Sequence, residues 1–89
     1  MGSEKIVLGQ VVQSTAGRDK EQTYIVVSLE DDRFVYLANG HKRKVSNPKK
    51  KNLSHVKVIG IDRKIKGILE SDKKLDNGEL RRAVKELTD

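Results

Sequence analysis

The sequence predicts a mainly β protein: a small, highly curved SH3-like barrel of about five strands, followed by a short C-terminal tail of one or two helices. Three observations carry this. Short β-branched runs fill the first two thirds of the chain, glycine and asparagine turn signals separate them, and after Gly60 the apolar spacing becomes helical. The expected division is 5–60 for the barrel and 61–89 for the helical extension.

The elements follow in order. Ile6 to Val12 is β-branched and interrupted by Gly9, which predicts a strand entered through a bulge or bend. Residues 15–20 read as a loop. Thr23 to Leu29 places Ile25, Val27 and Leu29 on one face and Tyr24, Val26 and Ser28 on the other, the period of a half-buried strand whose second face is also partly covered. Glu30 to Arg33 is a polar turn, and Phe34 to Ala38 is the partner strand. Asn39-Gly40 is a type I′ hairpin signal, so His41 to Ser46 is expected to return as a strand. Asn47-Pro48 closes it, Lys49-Lys50-Lys51-Asn52 loops out, and Val56 to Ile59 supplies a last strand. Beyond it, Ile61, Ile65, Ile68 and Leu69 form one helical stripe and Leu80, Val84 and Leu87 another, with Asp62 and Asp76 as caps. Helices this short need a docking surface: the barrel, each other, or a partner.

Composition bounds the function. A chain of 89 residues makes one small domain with little stability to spare. It has no cysteine, so disulfides and thiolate metal sites are excluded, and no apolar run approaches the roughly 18 residues of a spanning helix. This predicts a cytoplasmic protein with no membrane contact. The net charge of +6 is concentrated: His41 to Lys57 holds seven Lys and Arg residues and no acid, whereas the segment through Gly40 is net negative. Clustered cations that repel one another are relieved by a phosphate backbone, so a polyanion, and nucleic acid first, is the expected partner. Pro48 stiffens the run, with Lys42, Arg43 and Lys44 on one side and Lys49, Lys50 and Lys51 on the other.

Catalysis has little material. His41 and His55 lie in basic surroundings that would repel a metal cation, and no phosphate loop, nucleophile elbow or apolar-pocketed acid pair occurs. No enzyme, metal or cofactor is expected. With only Tyr24, Phe34 and Tyr36 as aromatics, a contact that reads backbone and shape fits better than base stacking along a splayed strand, with Tyr24 or Tyr36 as the candidate stackers.

The stretch from Gly9-Gln10-Val11-Val12 through Gly17-Arg18-Asp19-Lys20, followed by Tyr24-Ile25-Val26-Val27, resembles the KOW motif, in which a strand, a basic glycine-containing loop and a second strand open an SH3-like barrel. The continuation through Asp31 to Gly40, Lys42-Arg43-Lys44 and Asn52-Leu53-Ser54-His55-Val56 is similar to the e-type large-subunit ribosomal KOW proteins of archaea and eukaryotes. It is more similar still to the short KOW-domain RNA-binding proteins of Gram-positive bacteria, which end in a tail like Leu75-Asp76-Asn77-Gly78-Glu79-Leu80-Arg81. The resemblance implies non-catalytic binding of RNA, namely ribosomal RNA or a ribosomal subunit. It makes Arg18 and Lys20 phosphate ligands, with Gly17 allowing the turn and Asp19 bonding local backbone, while Lys42, Arg43, Lys44, Lys49, Lys50 and Lys51 track phosphates beside them. One position departs: the family loop commonly continues Lys-Gly, but Glu21 follows Lys20, and a slightly displaced loop is expected. The rival reading is a KOW or SH3-like protein-interaction module of the transcription or translation machinery. Protein contact through the C-terminal helices and a monomeric free state complete the expectations.

Overall fold

A computed structural model describes residues 6–88 of the chain, apart from the side chain of Thr88; Lys5 and Asp89, the outer ends of the two predicted segments, lie outside them. Five strands form one antiparallel sheet: β1 (Gln10–Ser14), β2 (Thr23–Glu30), β3 (Phe34–Ala38), β4 (Lys49–Asn52) and β5 (Val56–Ile61). Their spatial order is β4-β3-β2-β1-β5. The two edge strands, joined by a 3₁₀ turn at Leu53–His55, do not pair with each other, so the sheet is curled but not closed. Two helices follow, α1 (Arg63–Glu70) and α2 (Asn77–Thr88).

Alternation along the strands divides the apolar residues between two cores. Val12, Tyr24, Val26, Val35 and Leu37 fill the concave side with Leu8, Leu53, Val56 and Val58 packed against them. Val11, Ile25 and Ala38 point the other way, and there Ile65 of α1, Leu75, and Leu80 and Ala83 of α2 cover them. Both faces of β2 are therefore buried at Tyr24–Val26, as the paired apolar residues of that strand predicted. Register shifts between Val26 and Ser28 and between Val11 and Val12 mark bulges that bend the sheet.

The helices dock on the sheet and share its core. Asp62 caps α1, its Oδ1 accepting from the Ile65 N–H at 2.9 Å, and Asp76 does the same for the Glu79 N–H at 2.8 Å. The start of α1 crosses Gly9, whose carbonyl accepts from the Asp62 N–H at 2.9 Å; a Cβ on Gly9 would lie 2.8 Å from Lys66 Cβ, so only glycine permits the crossing. Arg82 then ties α2 to α1, reaching Asp62 at 3.1 Å as well as Glu79 and Glu86.

Two local expectations are corrected. Asn39-Gly40 does not make a two-residue hairpin: Gly40 has φ +80° but Asn39 does not enter the left-handed region that a type I′ turn needs at both positions. Instead Asn39 folds the chain into a side-chain-capped turn, and residues 41–46 form no strand. The returning strand is the lysine run itself, with Leu37 opposite Lys49 and Val35 opposite Lys51. The reason lies in Val45, the one apolar residue of 41–46: it packs on the helix-side core and gives its N–H to Asn77 Oδ1 at 2.8 Å, which removes it from any sheet register. The other correction concerns β1, which begins only at Gln10, after the bend at Gly9.

Leu80 is fully buried between α2 and the sheet. Leu80→Ala is expected to lower unfolding stability by about 3 kcal/mol, measured by urea denaturation, and to raise hydrogen exchange at the Val45 amide as α2 loosens.

Candidate nucleic-acid interface

Asp19 organises the basic end of the molecule. It sits in the β1–β2 loop with a side chain only 11% exposed, between Lys49 and Lys51 of β4. Its Oδ1 accepts from Lys51 Nζ and Ser14 Oγ, each at 2.8 Å, and its Oδ2 from Lys49 Nζ at 2.8 Å and the Tyr24 hydroxyl at 2.9 Å. Burial acts to raise the pKa of this carboxyl, but the donors from Lys49, Lys51, Ser14 and Tyr24 outweigh it and hold the group far below the usual carboxylate range. The same burial, reinforced by the Asp19 contact, pushes Tyr24 up to about 12. Asp19 was expected to bond local backbone; its carboxylate bonds side chains of three strands instead, because β4 brings two ammonium groups to the loop from 30 and 32 positions away.

The lysine run is thereby divided. Alternate side chains of a strand face opposite ways, so Lys49 and Lys51 turn toward Asp19 while Lys50 lies on the other face. Lys51 is almost buried and also donates to the Ala16 carbonyl at 3.1 Å. Lys50 pairs with Glu30 at 2.8 Å and lies over the Phe34 ring at 4.5 Å. Its hydrogen bond, followed by that of Tyr36, holds Glu30 below its ordinary value. The expectation of one exposed lysine loop gives way to a paired strand.

The β1–β2 loop keeps a tight form. Gly17 has φ +86°, as its predicted role in the turn requires, and its carbonyl accepts from the Lys20 N–H. Glu21, where the KOW loop commonly has glycine, adopts φ +75° itself, with its N–H on the Ser14 carbonyl at 2.8 Å. A side chain in that region is strained by about 1 kcal/mol.

Facing this loop across an open cleft of about 240 Å³ is the turn after β3. The cleft is lined by Arg18, Asp19, Gln22, Tyr24, Asn39, Lys42, Arg43 and Lys49. The fold thus joins Arg18 of one loop to Lys42 and Arg43 of another. Lys20 and Lys44 are exposed on the same loops but outside the lining. The side chains of Arg18, Lys20, Lys42, Arg43 and Lys44 have no ion-pair partner among the described residues. Gln22 and Asn39 carry no site expectation from the sequence, and Tyr24, a candidate base stacker there, is buried with its hydroxyl on Asp19. For Asn39 the turn signal was present, but its meaning depended on where the loop lands.

The landing is set by α2. Arg81 donates to the Gly40 carbonyl at 2.8 Å, Asn77 takes the Val45 N–H, and Asn39 Oδ1 accepts from His41 and Arg43 N–H at 2.9 and 3.2 Å. Among the described residues no group of three or more His, Asp or Glu side chains is placed to hold a metal ion, and no helix is long and apolar enough to cross a membrane.

Asp19→Asn should cost about 3 kcal/mol in chemical denaturation, because two partly buried ammonium groups lose their counter-charge. The sign with pH follows from the lowered pKa of Asp19. The Asp19 contribution is complete above the unfolded-state value of about 3.9 and is lost as pH falls from there toward the folded value; the Asn variant should lack that acid limb. Glu21→Gly, by contrast, is expected to raise the midpoint of thermal unfolding, by a stabilisation of about 0.5–1 kcal/mol. In comparisons with known proteins, no family model and no curated protein sequence matches this chain, so the chemistry of the site carries the functional argument.

Proposed function

We propose that this chain is a non-catalytic RNA-binding protein, acting in the cytoplasm on ribosomal RNA or a ribosomal subunit, and that its cleft grips the phosphate backbone. The observation that carries the RNA reading is the convergence of Arg18, Lys42 and Arg43 on one cleft whose lining holds no acid but the saturated carboxylate of Asp19. The ribosomal part rests on the resemblance to KOW-domain proteins. Guanidinium groups grip phosphate through two parallel hydrogen bonds, so Arg18 and Arg43 orient the ligand, while Lys20, Lys42 and Lys44 act as point charges around it. Lys49 and Lys51 contribute through the scaffold, since both are engaged by Asp19.

Five available cations give a definite salt dependence. Log K for RNA should fall with log salt with a slope of about −3.5 to −4.5, from coefficients of roughly 0.7 to 0.9 per phosphate contact. In a filter-binding or anisotropy titration, Arg18→Gln and Arg43→Gln should each reduce that slope by one contact. Lys50→Gln should leave it unchanged. A slope near zero, or an equal effect at Lys50, refutes the assignment; crosslinking in cells followed by sequencing of the attached RNA tests the ribosomal part.

A further inference from the structure

The cleft is unusual in what it lacks. Asp19 is its one acid, and a carboxylate offers about four acceptor positions. All are occupied, by Ser14, Lys51, Tyr24 and Lys49. Asn39 is the next polar group on the wall, 9% exposed, and its carbonyl oxygen is filled by two backbone N–H groups, those of His41 and Arg43. Both partners are donors, so the oxygen is fixed on the loop side and the amide nitrogen, with its two hydrogens, is left for the cleft. Around it stand Arg18, Lys42 and Arg43, which donate only. Two lining groups keep some acceptor capacity: the Tyr24 oxygen, whose hydroxyl hydrogen goes to Asp19, and Gln22, exposed and without a fixed partner, which can turn either end of its amide inward.

We propose that the cleft is a donor-rich seat for a group bearing two adjacent acceptors and no donor, a phosphate or the O6/N7 edge of a guanine, and that Asn39 sets this polarity. This inference rests on the RNA reading above and adds a selectivity that charge alone does not supply. An adenine edge brings an N6 amino donor, and a cytosine edge an N4 donor. Neither donor finds a free carboxylate or Asn39 oxygen here, and each meets the Asn39 amide hydrogens head on. Asp19 therefore acts as a positioning residue: its saturation removes an acceptor that would otherwise admit base amino groups. Guanidinium and amide donors suit the guanine edge for the same reason that they suit phosphate.

The test uses the full chain and two variants of equal charge. Asn39→Asp keeps the oxygen that caps the turn but replaces the amide donor by an acceptor; Lys42→Gln removes one positive charge from the same wall. Circular dichroism and thermal unfolding verify that both fold. The probe is an oligouridine carrying one guanine, titrated at two salt concentrations. Asn39→Asp should bind at least about tenfold more weakly than Lys42→Gln, the discrimination expected for a mispaired edge, and the gap should persist in high salt. Wild-type protein then separates the two sources of the acceptors and serves as the test should Asn39→Asp not fold. If guanine is seated, 7-deazaguanine or adenine in its place weakens binding about tenfold; if phosphate is seated, base identity has no effect and one methylphosphonate linkage produces the loss. Tighter binding to adenine or cytosine, indifference to base and linkage alike, or an Asn39→Asp variant no weaker than Lys42→Gln overturns the proposal. Failure of wild-type protein to bind any RNA in dilute buffer would instead defeat the RNA reading itself.

Discussion

One carboxylate, that of Asp19, holds the basic end of this protein in shape. Its four contacts draw together Ser14 of β1, Tyr24 of β2, and Lys49 and Lys51 of β4, so the β1–β2 loop is tied to the far edge of the sheet. Two partly buried ammonium groups next to each other would be intolerable without a counter-charge. Asp19 supplies it, and that constraint decides which cations remain for a ligand. The cations around the cleft are thus separated into an inner pair, Lys49 and Lys51, spent on the scaffold, and an outer set, Arg18, Lys20, Lys42, Arg43 and Lys44, without ion-pair partners among the described residues.

The helical extension takes part in the same construction. Helices of eight and twelve residues do not persist alone in water, and these two gain stability by burying Ile65, Leu80 and Ala83 on the outer face of the sheet. Arg82 links the α1 cap at Asp62 to acids on α2, which sets the angle between the helices. With that angle set, Asn77 and Arg81 reach the turn after β3 and hold it by two hydrogen bonds. A segment that looks like a tail in sequence therefore shapes one wall of the cleft. The physical link is direct: the turn at 39–48 has few apolar residues of its own, and it is ordered by polar contacts to α2 and by Val45 in the shared core.

Much of this was legible in the residues. The alternation of Tyr24-Ile25-Val26 foretold a strand covered on both sides, Asp62 and Asp76 foretold the helix starts, and the charge map foretold a basic end. What misled was local signal without register. Asn39-Gly40 has the composition of a hairpin turn, but whether 41–46 returns as a strand depended on Val45 finding a better site against the helices. Lysines 49–51 read as a loop because they lie between the strand expected at 41–46 and the one at 56–59. In the sheet, alternation sends two of them to Asp19 and the third to Glu30 and Phe34, and the strand becomes stable.

By itself, the order of residues determined the β2–β3 pair, the two helices, the two-sided burial of β2 and the sign of the charged surface, because each depends on periodicity or composition within a short window. Only the tertiary structure decided which cations are free, that Arg18 faces Lys42 and Arg43, and that the acceptors of Asp19 and Asn39 are filled. The Asp19–lysine contacts join residues 30 and 32 positions apart, which no short window of sequence contains; the Asn39 contacts span only two and four positions but belong to a turn that α2 holds from across the fold.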